Sequence, residues 1–212
     1  MVKRYIVVAG NIGVGKSTLT RLIAEALGWQ PFFEPSEINP YLSDFYGDMP
    51  RWAFPSQVFF LARRLRHHRR IAQHPTTVLQ DRSVYEDAEI FAKNLFRQGQ
   101  MTERDYLCYR ELYEVLLEFL PAPDLVIYLR ADVDTLLARI AQRGRDYERQ
   151  IPRAYLETLN QLYEEWTASF TFCPMLTVPA HSLDFVQHPR HLQLIIERVQ
   201  DKLQGKDEVS FD

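Results

Sequence analysis

Apolar residues in this chain follow two rhythms. Short, nearly unbroken runs lie at 5–9, 76–80, 124–129 and 175–178, with a weaker one at 30–34. Between them apolar positions recur every three or four residues, over 16–27, 51–73, 84–97, 102–119, 133–143, 155–170 and 190–203. The first rhythm predicts buried strands and the second predicts helices. Strand followed by helix, repeated along the chain, is the order that builds a parallel sheet with helices on both faces. Pro121 and Pro123 flank the strand at 124–129, and Gly144 closes the helix at 133–143. No repeat or low-complexity linker divides the 212 residues, 46% of them hydrophobic. One domain over 1–204 is expected, with a polar, frayed tail at 205–212.

Composition removes several classes. A net charge of −3 lacks the basic excess of a nucleic-acid-binding domain. Cys108 and Cys173 have no neighbours in metal-ligand spacing and read as reduced thiols, and the six histidines show no ligand pattern. The apolar run after Met1-Val-Lys-Arg is too short for a signal peptide and ends in a glycine-rich turn. No stretch approaches transmembrane length. The expectation is a soluble, cytoplasmic protein with neither membrane nor nucleic acid as partner.

Gly10-Asn11-Ile12-Gly13-Val14-Gly15-Lys16-Ser17, followed by Thr18, matches GxxxxGK[ST] between a predicted strand and a predicted helix. Glycines let backbone N–H groups turn toward phosphate oxygens, and the helix N-terminus adds partial positive charge. Lys16 would reach the β- and γ-phosphates of ATP, and Ser17 would hold Mg²⁺. Arg139 and Arg143 are four residues apart and share a helix face, and Arg145 follows the helix-breaking Gly144. Arginines so spaced can surround a transferring phosphoryl group as a lid, where charge is spread over several oxygens.

The acceptor side is expected beyond other strand ends, where ligands sit in open α/β sheets. Asp81-Arg82 closes the strand at 76–80, placing Asp81 to order Mg²⁺ through water and Arg82 to hold the reacting end of the acceptor. Glu34-Pro35 closes the second strand, where a carboxylate could take the proton of an attacking hydroxyl. Gln57, Phe60 and Arg64 share one helix face, an amide, a ring and a guanidinium suited to a flat, hydrogen-bonding ligand. Val58, Leu61 and Leu65 are expected as that helix's core stripe, and Arg63, Arg66, His67, His68, Arg69 and Arg70 as its solvated basic face.

These motifs together resemble the deoxynucleoside kinase family, from Tyr5 to about Phe185. They are Gly10–Thr18, Glu34-Pro35, Trp52-x-Phe54-x-x-Gln57, Asp81-Arg82-Ser83 and Arg139-x-x-x-Arg143-Gly144-Arg145. The resemblance implies an α/β, three-layer P-loop kinase fold with a parallel five-stranded sheet, helices on both faces and a short basic lid. It implies transfer of the γ-phosphoryl of ATP to a deoxynucleoside 5′-hydroxyl, in nucleotide salvage. Glu34 then looks like the base, Arg82 like its partner at the 5′ oxygen, and Tyr46 with Glu148 like the pair on the sugar 3′-hydroxyl. Gln57 looks like the reader of the base edge, with Arg64 and Asp87 as the discriminating pair. A loop near 179–185 would cover the adenine of ATP, and a homodimer through helices would follow. Asn39 stands where animal members carry Trp, and Asp81 where many relatives carry Glu.

The Gln57 amide complements adenine or cytosine, and Asp87 accepts from an exocyclic amino group. Thymine would set a carbonyl against that carboxylate. The run Asp81–Asp87 resembles bacterial deoxyadenosine kinases, so deoxyadenosine is the first expectation, with deoxyguanosine or deoxycytidine open and thymidine poor. A nucleoside monophosphate kinase of the thymidylate-kinase type would share loop and lid but need a basic site for a 5′-phosphate. A GTPase-like module is suggested only by Asp44-x-x-Gly47, without an NKxD run.

Overall fold

The computed structural model describes residues 2–33, 39–145, 148 and 151–205. All six residues of β1 (Tyr5–Gly10) are buried, as an apolar strand covered on both faces should be. It pairs in parallel with β3 (Val78–Asp81) and with β4 (Leu125–Arg130). β2 (Gln30–Phe32) and β5 (Met175–Pro179) add the edges, giving the order β2-β3-β1-β4-β5 with every pair parallel. The chain leaves β1 for the β2 edge, returns at β3, and crosses β1 to reach β4. Such a reversal opens a crevice beyond the carboxyl ends of the strands.

α1 (Lys16–Leu27) and α9 (Pro189–Leu203) pack together on one side of the sheet. The other side takes α3 (Met49–Gln73), α8 (Arg153–Ser169) and the helical stretch after β3. α6 (Glu103–Leu117) lies outside, against α3 and that stretch. α7 (Val133–Arg143) packs on α8. The three layers and the five parallel strands agree with expectation.

Four local features depart from it. A short α2 (Leu42–Gly47), absent from the apolar pattern, precedes α3 and takes in Asp44-x-x-Gly47, which is therefore helical and no switch loop. α3 begins at Met49, two residues before the expected start, because Asp48 accepts from the Arg51 N–H as its cap. The single helix expected over 84–97 is broken into α4 (Val84–Glu86), a π-helical turn at Asp87–Ala92 and α5 (Lys93–Arg97). Two successive acids there are tied to different partners, Glu86 to Ser83 and Asp87 to Arg64, and the wider turn accommodates both.

The fourth departure concerns α3. Its buried face runs through Gln57, Leu61, Arg64, His68 and Ile71, whereas Val58 and Leu65 are only half-buried. His68 is thus core, not part of the solvated basic face. Tyr5 donates to Gln80 Oε1 at 2.6 Å, so His68 Nε2, 3.2 Å from the same hydroxyl, acts as the donor and carries the ring hydrogen. Burial, with Arg64 and then His67 nearby, pulls the His68 pKa down to about 4.

Unfolded, this ring takes up a proton below about pH 6.5, and folded it does so only near 4. Its contribution is therefore present above 6.5 and lost as pH falls toward 4, by roughly 3 kcal/mol in all. His68→Gln is expected to lose less stability than the native chain between pH 7.5 and 4.5 in urea unfolding. An equal loss in both would refute a neutral, buried ring.

Candidate active site

The phosphate loop follows β1 directly. Gly10, Gly13 and Gly15 all have positive φ, at 144°, 81° and 106°. Gly13 has a second constraint, since an added Cβ would lie 2.7 Å from Ile140 Cγ1 and 2.9 Å from the Leu136 carbonyl. The loop is pressed against α7, and only hydrogen fits there. Asn11 anchors it from behind, donating to the Leu156 carbonyl at 3.0 Å and to Asn160 Oδ1 at 2.7 Å while accepting from Ile12 N–H. Lys16 Nζ donates to the Gly10 and Asn11 carbonyls at 2.8 and 2.9 Å.

A cavity of about 760 Å³ starts at this loop, bordered by Ile12, Gly13, Gly15, Lys16, Ser17 and Thr18. Gly10, Asn11 and Val14, also expected to meet ATP, stand behind the lining. Arg139, Arg143 and Arg145 also border the cavity. Arg139 donates to the carbonyls of Val14 and Ala180, both at 2.8 Å, and so ties the phosphate loop to the late loop at 180–188. Phe185 of that late loop lies over Gly15. Arg143 donates twice to Glu148 Oε2, at 3.0 and 2.6 Å, and Arg145 lies 3.5 Å from Oε1.

The residues expected on the acceptor side border the same cavity. Tyr46 from α2, Gln57 and Phe60 from α3, Arg82, Asp87 and Glu148 line it together. Gln57 is buried, and its amide makes no hydrogen bond among the described residues. Arg64 is buried behind Asp87, donating to both its oxygens at 2.9 and 3.1 Å and to the Arg82 carbonyl at 2.9 Å. Arg82 has φ 65°, the one positive value outside glycine among the described residues. A residue held there is strained by roughly 1–3 kcal/mol, and the bonds at Arg64 and from Arg82 N–H to the Val8 carbonyl hold it. The Arg82 guanidinium lies 4.3 Å over the Phe91 ring, on the cavity wall. Glu34 lies outside the described residues.

Ser17 Oγ donates to Asp81 Oδ2 at 2.5 Å, where the phosphate loop meets β3. No cluster of three His, Cys, Asp or Glu side chains occurs among the described residues. One carboxylate and one hydroxyl, both hard oxygens, fit Mg²⁺, which takes few protein ligands and completes its shell with phosphates and water.

Sequence reading missed Glu86 and Tyr163. Glu86 is fully buried and accepts from Gly10 N–H, Ser83 N–H and the Tyr163 hydroxyl. A signal existed, since Ser83-x-x-Glu86 is a capping-box pattern, and the structure contains that box. Its reach to Gly10 and Tyr163 had no local signal.

A cavity that begins at a phosphate loop and ends at a small polar floor defines a kinase of small, nucleoside-like acceptors. Residues 6–204 match the model of the deoxynucleoside kinase family, and the chain belongs to it. The chain is 40% identical over 196 residues to the deoxyadenosine/deoxycytidine kinase of Bacillus subtilis, covering 92% of this chain and 90% of that protein. Among solved structures, deoxyadenosine kinase from M. mycoides with products dCMP and a flexible dCDP bound superposes with a TM-score of 0.84. The same enzyme with bound dATP gives 0.82. Each of these pairs shares 32% identity and covers 93% of this chain and 99% of the other.

Removing one partner of a buried ion pair leaves the other charge uncompensated. Asp87→Ala is therefore expected to lower stability by about 3–5 kcal/mol. Chemical denaturation reads this as a fall in midpoint, and a change under about 1 kcal/mol would mean that Arg64 and Asp87 do not form a buried pair.

Proposed function

We propose that this protein is a deoxynucleoside kinase that transfers the γ-phosphoryl of ATP to the 5′-hydroxyl of deoxyadenosine, in nucleotide salvage, with deoxycytidine or deoxyguanosine as further acceptors. The observation that carries the reading is the joining of Gln57 and Asp87 to the phosphate loop through one cavity. Adenine and cytosine each present a ring nitrogen acceptor beside an amino group, and a Gln amide pairs with both. The B. subtilis relative is named for these two bases. Thymine would set a carbonyl against Asp87, and sites built on hydrogen bonds can reject such a mismatch by roughly 10⁴-fold.

In this reading Lys16 and the loop N–H groups hold the donor phosphates, with Arg139, Arg143 and Arg145 around the transferring group. Ser17 and Asp81 would hold Mg²⁺, which when bound neutralises charge on the β- and γ-phosphate oxygens. Glu34 takes the 5′-hydroxyl proton while Arg82 steadies the attacking oxygen. Tyr46 and Glu148 bind the sugar 3′-hydroxyl. Gln57 and Phe60 take the base, with Arg64 and Asp87 selecting among bases. Residues 1–204 act as one domain and 205–212 as a tail. No helix among the described residues is long and apolar enough to cross a membrane, and Cys108 and Cys173 are free. Both features suit a cytoplasmic enzyme.

We read the assembly as a homodimer. Leu107, Leu112 and Val115 of α6 are exposed, with Arg104 and Glu111 among them, and Phe119 follows in its closing turn. Exposed apolar side chains along a helix fit a helical interface between copies.

Phosphate transfer from ATP with Mg²⁺ to the four deoxynucleosides and their monophosphates tests the reaction. Turnover of about 1–100 s⁻¹ on deoxyadenosine is expected. Glu34→Gln is expected to lower it by about 10²–10⁴-fold, as loss of a general base does. Thymidine as the best acceptor, or transfer to monophosphates alone, would sink the assignment. Sedimentation should show a dimer that Val115→Glu converts to a monomer, and a native monomer would refute the α6 interface.

A further inference from the structure

Two loops from opposite halves of the reaction meet on one buried carboxylate. Glu86 Oε2 accepts from Ser83 N–H at 2.8 Å and Ser83 Oγ at 3.2 Å, beside Arg82 on the acceptor side. Glu86 Oε1 accepts from the N–H of Gly10, which opens the phosphate loop, at 3.1 Å. Tyr163, on α8, stands at the junction. Its single hydrogen has two acceptors at 2.8 Å, Glu86 Oε1 and the Gly10 carbonyl, and its oxygen accepts from Arg82 Nη1 at 3.3 Å. Burial, with the Glu86 charge beside it, raises the Tyr163 hydroxyl well above its ordinary range, so it keeps its proton. Lys16 shares the Gly10 carbonyl at 2.8 Å. Arg82 Nη1 is 3.8 Å from Glu86 Oε1, beyond hydrogen-bond length.

We propose that Glu86 and Tyr163 are positioning residues that couple the donor and acceptor sites, an inference that rests on the assignment of ATP to the phosphate loop and the nucleoside to the Arg82 side. Donor phosphates compete with the Gly10 carbonyl for the Lys16 ammonium. As that donor is drawn away, the Tyr163 hydroxyl still holds the Gly10 carbonyl, and a shift of Gly10 is passed through it to Glu86 Oε1 and Arg82 Nη1. Donor binding thereby changes where Arg82 is held on the cavity wall. By thermodynamic reciprocity, nucleoside binding strengthens donor binding by the same factor. No covalent bond changes, and the hydrogen stays on the Tyr163 oxygen throughout.

A purely packing role for the two side chains would lower stability and leave the two affinities independent. Calorimetric titration of a non-hydrolysable ATP analogue with Mg²⁺, with and without deoxyadenosine, separates the alternatives. In the native protein the analogue is expected to bind at least about fivefold tighter when deoxyadenosine is present. In Tyr163→Phe and in Glu86→Gln the ratio is expected to fall to about one. Tyr163→Phe keeps the ring that stacks on Tyr128, so it decides the matter even where Glu86→Gln does not fold. Native protein that binds both ligands independently, or variants that keep the native ratio, would overturn the coupling and leave the kinase reading standing. Native protein that binds the analogue but no deoxynucleoside would overturn the nucleoside assignment, and the coupling with it.

Discussion

A guanidinium with almost no access to water stands where α3, the end of β3 and the cavity meet. Burying such a cation costs several kcal/mol unless its donors are used and its charge is matched. Arg64 meets that condition on separate segments at once: the Asp87 carboxylate in the π-helical turn and the Arg82 carbonyl after β3. Its stem belongs to α3, which also carries Gln57 and Phe60. These bonds set the spacing between the helix that carries Gln57 and the loop that carries Arg82. The strained φ of Arg82 follows, because its carbonyl is aimed at Arg64 while its N–H is aimed at Val8 in the central strand. The position of Asp87 on the cavity wall follows as well, since the carboxylate that matches Arg64 also borders the cavity.

The opposite end of the cavity is governed by cations whose protein partners differ in strength. The net charge of the chain is −3, yet Lys16, Arg139, Arg143 and Arg145 gather along one wall. Lys16 and Arg139 are bonded to neutral carbonyls, which a phosphate oxygen readily outcompetes, because bonds between charged groups are roughly twice as strong. Arg143 and Arg145 face a full carboxylate at Glu148 and are held more firmly. The gradation suits a donor that first exchanges with weak carbonyl contacts. The lid pair then responds to what happens near Glu148, at the border of the acceptor side.

What could be read from residue order was the part with local causes. The phosphate loop has a dense signature because every feature of it, from Gly10 to Ser17, serves one short turn between strand and helix. The buried strands were visible for the same reason, since a short unbroken apolar run bounded by turn residues suits a strand covered on both faces. His68 was hidden because the basic side chains around it argue for a solvated face, and only a partner 63 residues away, Tyr5, makes its burial tolerable. The π-helical turn was hidden because its cause is a conflict between Glu86 and Asp87 over partners on different elements. Glu86 was half visible. Its capping box is local, but its bonds to Gly10 and Tyr163 span 76 and 77 residues.

The residues proposed to read the base do not carry equal structural duties. Arg64 and Asp87 form a buried ion pair, so altering either changes stability. Gln57 is equally buried, yet its amide has no hydrogen-bond partner among the described residues and faces the cavity. An amide that lines the cavity in this way keeps a donor and an acceptor available to a ligand. The Arg64–Asp87 pair, tied as well to the Asp81 and Arg82 carbonyls, is by contrast part of the frame that holds α3, the end of β3 and the π-helical turn together.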